Sequence, residues 1–207
     1  LAFENARLEE RVRRLEQQEV ENRRLKKLLG LRESLPGDVV SAQVIARDVT
    51  EFFRVIRLTL DRGGHDIRID MPVVTLDGVV GTVQRVAGSS VDVKMVADPN
   101  SAVDVVSERT GARGIVRGTG DLTKYLLRID YTQRTDEVDV GDLMVTSGMG
   151  RRFPKGLPVA RVTRVIRRDF GIYQEVEATP TVDFSRLEEV LILTTTPADA
   201  PTPKGGR

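Results

Sequence analysis

The 207-residue chain carries 32 Lys and Arg against 31 Asp and Glu, a net charge of +1, so no long-range field draws it to nucleic acid or to an anionic membrane surface. Hydrophobic residues at 40% and charged residues at 30% suit a folded protein and argue against wholesale disorder. Cysteine is absent and histidine occurs once, which removes disulfides, thiolate metal sites and cysteine nucleophiles. No apolar run approaches the roughly 18 residues of a membrane span, and Leu1 does not open a signal peptide.

Residues 1 to 29 contain no Gly or Pro and are dense in Glu, Arg, Leu and Gln, which lose little rotamer freedom in a helix. The sequence therefore predicts one long helix. Leu1, Leu8, Leu15, Asn22 and Leu29 recur every seventh residue, with Val12 and Leu25 between them, so a narrow apolar seam runs down one side and asks for a partner helix. A dimeric coiled coil is expected. No capping residue precedes Leu1, so the helix is expected to continue upstream; Gly30 suits its C-terminal cap and Pro36-Gly37 closes the segment.

After Pro36 the texture changes to short Val, Ile and Thr runs divided by Gly-rich and Asp-rich turns. Twelve strands are predicted, at 39–47, 53–61, 72–76, 79–86, 91–97, 102–107, 113–117, 125–131, 142–146, 158–168, 173–179 and 189–195. The residues from Thr196 to Arg207, TPADAPTPKGGR, read as a disordered tail by composition.

The β region repeats itself. Ser41–Arg47 lies over Gly111–Arg117, Val55–Leu60 over Leu126–Tyr131, Val73–Thr75 over Met144–Thr146, and Val80–Val86 over Val159–Val165. The second copy carries an insertion around GMGRRFPKG, where loops accept extra residues. About six short strands per copy are too few for a sandwich and enough to close a small barrel. The fold class expected is mainly β with an N-terminal α-helix: a coiled-coil helix with linker at 1–36, a first six-stranded β-barrel at 37–109, a second at 110–195, and the tail at 196–207.

Chemistry is sparse in this pattern. His65 sits in a Gly63-Gly64-His65-Asp66 turn, and a chymotrypsin-like two-barrel serine hydrolase using Ser147 and His65 is the alternative reading; the TSGMG context lacks that family's GDSGG signature. No cluster has metal-ligand spacing, so neither metal nor cofactor is expected. Candidate partner contacts are the adjacent aromatics Phe52 and Phe53, and Arg151, Arg152, Phe153 and Lys155 in the insertion.

Several segments, in order, resemble the MreC family: ENRRLKKLLGL at 21–31, VIARD at 44–48, ADPNSAV at 97–103, RTGARGIVRGTG at 109–120, GDLMVTSGMGRRFPKGLPVARV at 141–162 and VDFSRLEEVLIL at 182–193. Ala160 stands where the family often has Gly. The resemblance implies a helix followed by two barrels, a homodimer, and a non-catalytic scaffold of the rod-shape (elongation) machinery. It implies a periplasmic location, with a single membrane anchor upstream of Leu1. Implied partners are the class B penicillin-binding protein transpeptidase, MreD, RodA, RodZ and, across the membrane, MreB.

Overall fold

The computed structural model describes residues 2–35, 37–50, 55–121, 123–150, 152–167 and 170–195. They form two units, Leu1–Leu35 and Pro36–Arg207, the second holding all the strands.

The first unit is the helix α1 (Ala2–Ser34). At 1.5 Å per residue its 33 residues span about 50 Å. Gly30, expected as the cap, is instead helical, because a single interior Gly costs only about 1 kcal/mol. The stop falls at Ser34, two residues before the proline in the sequence, which disfavours helical backbone in the residue preceding it.

Twelve strands follow: β1 (Val39–Thr50), β2 (Val55–Leu60), β3 (Pro72–Thr75), β4 (Gly78–Ala87), β5 (Ser90–Met95), β6 (Val103–Ser107), β7 (Arg113–Gly118), β8 (Leu127–Asp130), β9 (Leu143–Thr146), β10 (Pro158–Ile166), β11 (Glu175–Pro180) and β12 (Glu189–Leu193). They close into two antiparallel barrels, β1-β12-β3-β4-β5-β2 and β10-β11-β8-β7-β6-β9. Closure leaves no free sheet edge in either ring. Aliphatic side chains form the cores: Leu58, Leu60, Val73, Val83, Val93 and Ile192 are buried in the first barrel, and Val105, Val116, Leu127, Met144, Val162 and Val176 in the second. Each such burial contributes about 1.5–3 kcal/mol.

Read from β7, the second ring runs β7-β6-β9-β10-β11-β8, which is the first ring with five strands replaced by their sequence counterparts. The bulges agree. Val80 in β4 and Val159 in β10 are each skipped in the pairing with the preceding strand, and Gln84 and Thr163 in the pairing with the following one. Both pairs are separated by the same 79 residues that relate these segments in sequence.

The sixth strand is exchanged between the copies. β6 follows β5 in sequence but hydrogen-bonds to β7 and β9, closing the second barrel; β12 follows β11 but pairs with β1 and β3, closing the first. The partition expected from sequence, 37–109 and 110–195, thus gives way to two interlocked barrels. Alternation fixes which face of a strand is buried and not which neighbours it takes, so both sixth strands fitted either slot.

The chain turns toward the second barrel at Asp98, whose carboxylate accepts the Asn100 amide N–H at 2.7 Å. There Gly118 of β7 backs onto the Ala97 carbonyl with no room for a Cβ. Gly78, at the start of β4, is packed in the same way against Pro158 of β10. Val79 and Val80, consecutive in β4, and Val159 and Ala160, consecutive in β10, are all buried. A strand buried on both faces is sandwiched, here between its own core and the other barrel.

Candidate functional sites

Along α1 the seam stands uncovered: Leu8, Val12, Leu15, Leu25 and Leu29 are 44–57% exposed, and Asn22 is exposed beside them. Leu1 lies outside the described residues. Val20, at 60% exposure, adds an apolar position that the heptad reading passed over.

The insertion between β9 and β10 is pinned at its base by Thr146. Its buried hydroxyl donates to the Pro154 carbonyl at 2.5 Å and accepts the Leu157 N–H at 2.9 Å. Phe153, expected as a partner contact, is only 5% exposed; the loop folds back and spends its aromatic ring on the interior. Arg152 reaches Asp70 of the first barrel at 3.4 Å, so its charge is partly engaged across the two barrels. Lys155 is exposed. Arg151, Phe52 and Phe53 lie outside the described residues.

Ser147 and His65 are not brought together. The Ser147 hydroxyl donates to Asp104 at 3.2 Å and accepts the Met149 N–H at 3.0 Å, which makes it a turn-stabilising residue. His65 is exposed in a polar groove with Asp38, Asp66, Arg68, Thr194 and Thr195, at the end of the first barrel where the chain enters and leaves. The geometry does not favour the hydrolase alternative.

Two clusters escaped the sequence reading. In the first, Arg109, in the β6–β7 turn, gathers Asp142 at 2.8 Å, Glu137 at 2.7 Å and Asp139 at 2.8 Å. Arg109 hydrogen-bonding holds the buried Asp142 carboxyl below the usual carboxylate range against the opposing effect of burial, and Asp142 in turn raises the Arg109 guanidinium. Asp142 also accepts the Asp139 N–H at 3.0 Å, so the cluster clasps the approach to β9 onto the β6–β7 turn.

The second cluster is aromatic. Tyr131, just past β8, and Tyr173, just before β11, meet edge to face with ring centroids 5.5 Å apart. They flank a groove of about 610 Å³ whose lining includes Leu126, Ile129 and Gln174. Tyr131 and Tyr173 are 42 residues apart and outside regular strands, so no local pattern joins them. The available signal was scarcity, since aromatics form only 4% of the sequence.

Two six-stranded barrels interlocked by an exchanged strand, preceded in sequence by a helix with an exposed apolar seam, define a tandem-barrel β protein with an N-terminal helix. Residues 44–194 match the family model described as "Rod shape-determining protein MreC, barrel core". The cell shape-determining protein MreC of Haemophilus influenzae is 32% identical over 180 residues, covering 86% of this chain and 50% of that protein. That of Escherichia coli is 32% identical over 180 residues, with 86% and 48% covered. The chain thus spans about half the length of these two curated relatives. A solved structure described as MreC superposes with a TM-score of 0.75 at 32% identity, covering 85% of this chain and 98% of that one. The crystal structure of MreC from Pseudomonas aeruginosa gives 0.69 at 33% identity, covering 75% and 98%. MreC in a complex with a penicillin-binding protein from Helicobacter pylori shares the fold, with a TM-score of 0.56 at 16% identity over 76% of this chain and 100% of that one. The chain belongs to the MreC family of rod shape-determining proteins.

Proposed function

We propose that this chain is a non-catalytic scaffold of the bacterial elongation machinery: a homodimer held through its helix seam, presenting two interlocked barrels to cell-wall synthesis proteins. The observation that carries the reading is the exposed apolar row Leu8, Val12, Leu15, Leu25 and Leu29, a face that a second copy covers in register. The Helicobacter pylori complex supports a class B penicillin-binding protein transpeptidase as the first partner. MreD, RodA, RodZ and, across the membrane, MreB complete the assembly, with the barrels on the periplasmic face and an anchor upstream of Leu1.

The mechanism is geometric. Dimerisation places two sets of barrels at high effective concentration, so one scaffold engages several partners at once. Arg151, Arg152 and Lys155 in the insertion, and Phe52 and Phe53 between β1 and β2, offer partner contacts of this kind. Phe153 drops out because it is buried.

The test is molar mass in solution by light scattering, on the full chain and on one lacking residues 1–36. A dimeric full chain with a folded, monomeric truncation is the expected result. Two monomers would remove the helix from the mechanism, and a dimeric truncation would move the dimer contact to the barrels.

A further inference from the structure

Cysteine is absent, so the four methionines carry all the sulfur in the chain. Met71, Met95 and Met144 are core side chains, 4%, 2% and 0% exposed, whereas Met149 is 52% exposed. Oxidants of the peroxide and hypohalous classes attack the thioethers they can reach, so the sulfur chemistry of the molecule falls on one residue.

The backbone holds that residue in place. Gly148 and Gly150, on either side of it, have φ of +77° and +76°, so Met149 stands in a turn between two left-handed residues. Its N–H is taken by the Ser147 hydroxyl at 3.0 Å. Ser147 is itself tied to Asp104 of β6 through its N–H at 3.0 Å and its hydroxyl at 3.2 Å. On the far side of the loop the Gly156 N–H donates to the Thr146 carbonyl at 2.9 Å, which closes the base. From this fixed backbone the Met149 side chain reaches Arg113, the first residue of β7, whose guanidinium donates to the sulfur.

That contact is chemically mismatched. A guanidinium is a fork of N–H donors, and a thioether is a weak acceptor. Arg113 has no carboxylate partner among the described residues, so the sulfur is the one protein acceptor its charge meets. Oxidation removes the mismatch. A sulfoxide carries negative charge on its oxygen, the flexible methionine side chain brings that oxygen to donors already beside it, and the bond becomes a charge-assisted one. In a core, the same oxidation would disrupt packing; at Met149 it tightens a surface contact.

We propose that Met149 is a site of reversible oxidation, at which the sulfoxide is held by Arg113 and fastens the β9–β10 insertion to β7. In the forward step the sulfur gives an electron pair to one oxygen of hydrogen peroxide. The O–O bond breaks, an S–O bond forms, and the departing oxygen leaves as water with both protons, so sulfur is oxidised by two electrons and the peroxide is reduced. Exposure also opens the residue to a methionine sulfoxide reductase for the return. The proposal concerns the chemical state of the loop and does not rest on the scaffold reading.

The experiment treats the folded full chain with dilute hydrogen peroxide, maps the oxidised peptides by mass spectrometry, and times tryptic cleavage after Arg152 and Lys155 before and after treatment. A single oxygen is expected at Met149, with loop cleavage slowed about fivefold, the worth of one net hydrogen bond where proteolysis follows local opening. Methionine sulfoxide reductase with dithiothreitol restores the original rate. Arg113→Ala keeps the oxidation and loses the slowing, and Met149→Leu loses both. Oxidation of Met71, Met95 or Met144 at a comparable rate overturns the proposal. Cleavage that is unchanged or faster in the oxidised wild-type chain overturns it as well, and so does equal slowing in Arg113→Ala. The wild-type arms need no substitution, so the decision does not depend on either variant folding.

Discussion

Asp142 shows how one residue sets a pH limit on the second barrel. Its folded-state carboxyl is held below the ordinary range by Arg109, so its contribution is fully present above the unfolded value, about 3.9, and is lost as pH falls through the lower folded value. Asp142→Asn is expected to melt below wild type at pH 7, with the gap closing below about pH 4. Melting curves from pH 7 to 2.5 decide it, and a gap that stays constant across that range sinks the clasp. Gly118 makes a steric point at the same scale: a methyl there meets the Ala97 carbonyl, so Gly118→Ala is expected to cost about 1–3 kcal/mol in a denaturant titration. Such residues were illegible in sequence. Phe153 read as an exposed aromatic in a glycine-rich loop, and only the loop's fold-back onto Thr146 places it inside.

Elements were far more legible, for a physical reason. Strand positions follow from short Val and Ile runs bounded by turn residues, and each of the twelve predicted segments overlaps an observed strand. Their spatial neighbours do not follow, because β6 (Val103–Ser107) and β12 (Glu189–Leu193) present equivalent faces to equivalent slots. The repeat was legible but no ring order was read from it; the structure gives both rings the same order, with paired bulges at Val80 and Val159. The helix was read from composition, its end was not, since Gly30 suggested a cap that the backbone passes through. On the seam, Leu15→Glu places a charge at the centre of the proposed dimer face and is expected to yield monomers while circular dichroism keeps its β signal. A dimer of undiminished mass would mean that Leu15 is not at the contact.

At the scale of the whole molecule, the exchanged strands join the barrels into one cooperative unit. Neither ring closes from its own copy, so calorimetry is expected to give a single barrel transition with matching calorimetric and van't Hoff enthalpies. Two separable transitions would contradict the interlock. Ending the chain before Glu189 removes β12 with the 14 residues after it and is expected to unfold the first barrel, opening β1 and β3, although both lie more than a hundred residues upstream. Loss of protease resistance in residues 37–95 would report it.

β12 also gives the fold a sense of time. Val39 pairs with Leu193, so the first residue of the first barrel's opening strand finds its partner only when almost all of the folded region has been synthesised. Until then the growing chain carries two unpaired strand edges, which invite aggregation and proteolysis. The second barrel waits almost as long, since its ring closes only when β11 (Glu175–Pro180) has been made. A chain that stops between β11 and β12 therefore carries a closed second barrel and an open first one, with β12 as the missing seal.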